Sequence, residues 1–202
     1  MAVACGPSVS LRVEQRSIQQ LPLESRLDLL DAENDLFAAV DRRDDAEQAV
    51  DDARTAVRRA NDRISEEEHN LDKADDTHDK QGVVVGKLAV QEAKARRDFL
   101  ETQVDVARAQ LRVEEARLLT AEARFERAKA DVAKKAKTPG SADLKLKDFD
   151  EQVKNLEAHV KSVQKDYESE LKDSDKSRQK WLVLSRQLSQ LTGGAQGSAW
   201  VE

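Results

Sequence analysis

The sequence predicts an all-α protein: a long antiparallel coiled-coil hairpin joined by a third long helix, an elongated three-helix bundle. Three observations predict it. Ala, Glu, Asp, Lys, Arg and Leu dominate, charged residues make up 37% and aromatics 3%, which suits long helices and leaves too little apolar bulk for a thick globular core. Large apolar residues recur at Leu29, Leu36, Val50, Val57, Ile64 and Leu71, with Ala32, Ala39, Ala46, Ala53, Ala60 and Ala74 three residues after a seam position. That period of 3.5 is the signature of a coiled coil. The rhythm returns at Val90, Val104, Leu111, Leu118, Phe125 and Val132, partnered by Ala93, Leu100, Ala107, Ala121 and Ala128.

Charge supports pairing between these halves. Residues 28–79 carry 18 acidic and 7 basic side chains, a net of −11, whereas 87–137 carry 13 basic and 9 acidic, a net of +4. Opposite signs favour this partner over a second copy of either helix. With a turn centred on Gly82, facing residues total 164. Bulky side chains then meet alanines, as in Ala39 with Phe125 or Leu71 with Ala93. The same register opposes Glu67 to Arg97 across the apolar seam, a charged pair expected to fix register more than to add stability.

Taken in order, residues 1–21 are expected to form a tether, with Val9, Leu11 and Val13 alternating with polar residues in an extended start. Pro22 suits the first turn of a helix. Helix 1 is expected over about 22–80, roughly 85 Å at 1.5 Å per residue. The tip, Val83, Val84 and Val85 between Gly82 and Gly86, is expected either to tuck against a neighbour or to present an apolar contact to a partner. Gly82 to Lys87 does not make a phosphate loop: the spacing is one short, and Leu88 stands where a hydroxyl is needed. Helix 2 is expected over 87–137. Gly140 and Ser141 then supply a C-terminal cap and the next N-cap. Helix 3, over 141–191, carries the bulkier seam of Leu146, Phe149, Val153, Leu156, Val160, Val163, Tyr167, Trp181, Leu184, Leu188 and Leu191. It either lies in the hairpin groove or pairs with a second copy, and the short turn before it favours the groove. Residues 193–202 are expected to be a flexible tail.

Two resemblances add to this. Ala2-Val3-Ala4-Cys5, followed by Gly6 and a polar spacer, resembles a bacterial lipobox. That resemblance implies a signal peptide, lipidation (palmitate) of Cys5 and an anchor in the outer membrane facing the periplasm. Residues 104–111 and 121–125 are similar to the helical hairpins of outer-membrane efflux proteins and their periplasmic adaptors. The resemblance implies a shared hairpin only, since nothing in the chain reads as barrel strands or flanking β-domains.

The chemistry-bearing residues point away from catalysis. Asp75, Asp76, His78 and Asp79 cluster at the end of helix 1, but one histidine on an exposed helix is a poor metal site, and no metal or other cofactor is expected. Acidic runs such as Glu66-Glu67-Glu68 are expected on exposed helix, and Ala-rich seams leave no water-excluding pocket. A net charge of −6 argues against nucleic acid as a partner. The expectation is a non-enzymatic structural or interaction protein, a membrane-tethered spacer or docking rod whose protein partner meets the tip or helix 3. The alternatives are an accessory of an envelope transport assembly and a cytosolic coiled-coil scaffold.

Overall fold

The computed structural model describes residues 7–19 and 21–194. Among them the fold is all-α: α1 (Gln15–Gln19), α2 (Leu23–Leu27), α3 (Leu30–Asp76), α4 (Lys80–Lys135), a 3₁₀ turn (Ser141–Asp143) and α5 (Leu146–Leu191). The chain divides into two compact units. The first comprises Met1–Glu47 with Ala109–Asp166, the second Gln48–Arg108 with Tyr167–Glu202. Each long helix contributes a segment to both.

In the second unit α3 and α4 form the expected antiparallel hairpin, but its turn lies earlier than Gly82. Helix α3 stops at Asp76, and His78 adopts the left-handed conformation at φ 54°, which ends a helix by reversing the chain. Asp79 starts α4 as its N-cap: its carboxylate accepts the Gln81 N–H at 3.1 Å, relieving one of the orphan donors of the first turn. Gly82 and Gly86 are therefore helical, and their role is close approach. A Cβ on Gly86 would lie 3.2 Å from the Leu71 Cα, and one on Gly82 would lie 3.1 Å from the Ala74 Cβ. Facing residue numbers total 156 or 157 here, about one heptad from the 164 expected. The heptad period is indifferent to a slip of seven, and the glycines, read as a hinge, mark the place where the helices touch.

The register pair expected from the sequence is not formed. Glu67, only 5% exposed, accepts from Arg63 on its own helix, while Arg97 pairs with Asp98 at 2.5 Å and with Glu101 at 3.7 Å. The slip carries Glu67 and Arg97 past each other, and each takes a partner one turn or less away. The hydrogen bond to Asp98 raises the Arg97 pKa above its ordinary value, against the lowering effect of burial.

Helix α5 packs on the same segment of α4. Trp181 stacks on Phe99 with ring centroids 5.6 Å apart, and its indole Nε1–H donates to Glu92 Oε1 at 2.5 Å. Ser174 is 2% exposed and accepts from Thr102 Oγ1 at 3.2 Å and from Gln103 Nε2. The third helix thus lies against the hairpin, in keeping with the short turn before it.

The first unit departs further from expectation. Residues 9–19 are not a free tether: Val9 packs with Ala123 and Leu156, and Val13 with Ala130 and Phe149. Leu21, Leu29 and Val132 form a third cluster. Helix 1 does not run unbroken from residue 22. The chain makes α2, turns through Asp28 and Leu29, and begins α3 at Leu30. Helix α4 supplies the floor of this unit with Ala109, Val113, Ala116, Ala123, Ala130 and Ala133, all at 2% exposure or less. Ala109, Ala116, Ala123 and Ala130 recur every seven residues along a second face of α4, because a helix packed by α5 as well as by α3 needs two seams.

Candidate interaction surfaces

The expected tip contact is split by the helix. Val83 and Val85 are half-buried and only Val84 projects, at 57% exposure. A shallow, open hollow of about 460 Å³ lies beside it, lined by Asp75, His78, Lys80 and Val83. No group of three His, Cys, Asp or Glu able to hold a metal occurs among the described residues. Cys5, the expected lipidation site, lies outside the described residues.

The first unit holds two buried polar centres, and one of them, Glu114, falls on the heptad seam seven residues after Ala107. The first clamps the extended N-terminal segment. Gln152 Oε1 accepts the backbone N–H groups of Ser10 and Leu11 and the Ser10 hydroxyl, each at 2.9 Å. Glu126, 5% exposed, accepts the Val13 N–H at 2.8 Å and pairs with Lys129 at 2.8 Å, whose ammonium sits 4.3 Å from the Phe125 ring centroid. An extended segment with no strand beside it must find side-chain acceptors for its N–H groups, and these two side chains supply them. Arg12 adds an outer ion pair to Glu122 at 2.6 Å.

The second centre is Glu114, 4% exposed, which accepts from Arg117 at 2.7 Å and Gln110 at 2.6 Å. Its other oxygen has no hydrogen-bond donor; Arg42 stands 3.8 Å away. Arg42 and Arg117 also line a cleft of about 580 Å³ with Asp35, Arg124, Glu157 and Lys161. Arg124 is neutralised by Glu157 at 2.6 Å. Three of the cleft's cations thus meet carboxylates, Arg42 and Arg117 at buried Glu114 and Arg124 at Glu157.

The outer side of α2 and early α3 is different in kind. Leu23 is 75% exposed, Leu27 58%, Leu30 45% and Phe37 60%. Leu23 and Leu27 lie on α2, and Leu30 and Phe37 on α3 beyond the turn at Asp28 and Leu29. The inner side of the same stretch is already used: Leu21 and Leu29 are buried against Val132, and Ala39 is 1% exposed. The stretch therefore has two apolar faces, and only one is covered by this chain.

The class of protein so defined, among the described residues, is an all-α helical bundle. No protein-family profile matches the chain, and no curated protein or solved structure shows significant similarity to it.

Proposed function

We propose that the chain is a non-enzymatic docking scaffold, held at a bacterial envelope membrane through Cys5, that recruits a protein partner through the outer face of α2–α3. The observation that carries this reading is the uncovered row of Leu23, Leu27, Leu30 and Phe37. Large apolar side chains scattered singly on a surface need no explanation, but four exposed within fifteen residues, two on α2 and two at the start of α3, are the kind of concentration that marks an interaction site. The expected contacts at the tip and on α5 are weaker candidates, with Val84 alone at the first and Trp181 engaged with Phe99 and Glu92 at the second.

The anchor rests on the lipobox-like run alone. Were Cys5 acylated, it would stand four positions before Val9, which is buried in the first unit. Four residues span at most about 14 Å, so the lipid would hold the first unit, with its open face, close to the bilayer rather than release it on a long leash. The test is a photo-crosslinking amino acid in place of Leu23, Leu27, Leu30 or Phe37 in turn, expressed from the native locus, with intact mass and fractionation of the products. Protein adducts in the membrane fraction on a chain beginning at acylated Cys5 are expected. An unmodified Cys5 would remove the anchor, and the absence of adducts from positions 23, 27, 30 and 37 alike would remove the docking face.

A further inference from the structure

We propose that Arg43 and Glu114 form the polar layer that fixes the register of α3 on α4 in the first unit, the part that sequence spacing gives to Glu67 and Arg97. Both fall on heptad seams. Arg43 lies seven residues after Leu36 and seven before Val50, and Glu114 lies seven after Ala107 and seven before Ala121. Arg42 Nε stands 3.8 Å from Glu114 Oε2, which sets Arg43, the adjacent seam residue, opposite Glu114. The two side chains are complementary. Glu114 is 4% exposed; one oxygen accepts from Arg117 at 2.7 Å and Gln110 at 2.6 Å, and Oε2 has no donor. Arg43 sends its terminal nitrogens outward to Asp44 at 2.9 Å and Glu47 at 3.4 Å, while its Nε stays buried without an acceptor. Among the described residues these two are the buried side-chain atoms that lack a hydrogen-bond partner. One is an acceptor on an anion, the other a donor on a cation.

A buried carboxylate tolerates few surroundings. In the register observed, Arg42 and Arg43 of α3 face it. A slip of one heptad toward the hinge at Gly82 would set Glu114 against Val50 and Arg43 against Ala121. The opposite slip would set Glu114 against Leu36 and Arg43 against Ala107. Either leaves the carboxylate facing an apolar seam with only the partners on its own helix. Such a layer adds little net stability, because desolvation offsets the attraction, but it penalises every other pairing. The turn at residues 77–79 does not do this alone, since it lies more than thirty residues from Arg43 and from Glu114 along the chain. A slip of seven carries α3 about 10 Å along α4 at 1.5 Å per residue. That would part Asp35 and Arg42 from Arg117 and Arg124, with which they line the cleft of the first unit. The layer therefore decides which charges the cleft gathers, and it does so whether or not the outer face of α2–α3 docks a partner.

The test is disulfide mapping of register in the purified full chain, in a Cys5→Ser background. Ala39→Cys with Leu118→Cys face each other in the observed register, and Ala39→Cys with Phe125→Cys face each other after the slip. Under mild oxidation the first pair is expected to close at least about tenfold faster than the second. With Arg43→Leu and Glu114→Leu added, stability in a urea titration is expected to be equal or greater, while that preference falls to about threefold or less. A double-mutant cycle gives the second readout. Arg43→Leu is expected to lower the folding equilibrium constant at least about fivefold with Glu114 present, and to leave it unchanged or raised in a Glu114→Leu background. An undiminished preference in the double leucine variant would overturn the proposal. So would loss of the first crosslink without gain of the second, or equal effects of Arg43→Leu in the two backgrounds.

Discussion

Replacing Gln152 with alanine should loosen residues 9–13 without releasing them. The Gln152 side chain, 9% exposed, is the acceptor for the Ser10 and Leu11 N–H groups. Its truncation leaves two backbone donors without partners beside buried Val9 and Val13. A fully buried orphan costs about 1–3 kcal/mol. Ser10 is exposed and Leu11 half-buried, so water meets part of the need and the lower figure applies, about 2 kcal/mol for the two. Undocking the segment would return Val9 and Val13 to water at about 1.5–3 kcal/mol each, which exceeds that penalty. The segment should therefore stay in place while the first unit loses about 2 kcal/mol, roughly a thirtyfold rise in local opening. Amide hydrogen exchange measures this directly: protection at Ser10, Leu11 and Val13 should fall by that factor, with a matching loss in a urea titration. Gln152→Glu, which keeps the acceptor, should lose less than half as much. If these amides exchange in the unaltered protein as fast as in a free peptide, or if Gln152→Ala changes nothing, the clamp is wrong.

Four further outcomes follow from the same packing. Gly86→Leu places a side chain where even a Cβ would lie 3.2 Å from the Leu71 backbone. It should cost about 1–3 kcal/mol in chemical denaturation despite leucine's better helix propensity. A double-mutant cycle on Glu67 and Arg97 should show coupling within about 0.3 kcal/mol of zero, whereas Glu67 and Arg63 should couple by more than that; rescue of Glu67→Arg by Arg97→Glu in thermal melts would contradict the observed register. Trp181→Phe keeps the stack on Phe99 but orphans the Glu92 contact, and should cost about 1 kcal/mol by urea titration. Gly140→Ala forces a side chain into a left-handed residue at φ 80° with open space around it. Its cost should be about 1–2 kcal/mol of pure backbone strain in the same titration, with no change in packing-sensitive probes.

How much of this is legible in the sequence depends on what period-seven arithmetic can see. The fold class, the hairpin and the third helix follow from Leu, Val and Ala spacing, because burial in long helices is periodic. The register does not follow, since a slip of one heptad still sets seam positions opposite seam positions, and the choice between Gly82 as hinge and Thr77-His78-Asp79 as turn rests on a left-handed residue and an aspartate cap. The docking of residues 9–13 is hidden for another reason. Val9, Leu11 and Val13 are visible as an alternating run, but the side chains that hold them, Gln152 and Glu126, lie more than a hundred residues away and look like ordinary surface positions on their own helices. The Ala109, Ala116, Ala123 and Ala130 row is visible too, but it gains meaning only when α4 is given two seams instead of one. The outer row beside α2 is likewise countable, since Leu23, Leu27 and Leu30 precede Phe37 in step; only the structure shows that α3 turns its other side inward.

Cysteine accessibility tests the central claim, that the Leu23–Phe37 face is open in the isolated chain and covered in its working setting. Leu27→Cys, Phe37→Cys and Ala39→Cys would each be labelled with a maleimide, in a Cys5→Ser background for the purified protein and with Cys5 retained in cells under native expression. For the purified chain the two outer positions should react rapidly and position 39, which is 1% exposed, slowly. In cells the outer positions should be protected relative to an exposed control such as Gln48→Cys. Slow labelling of Leu27→Cys and Phe37→Cys in purified protein would contradict the fold, and equally fast labelling of both in cells and in solution would contradict the docking role.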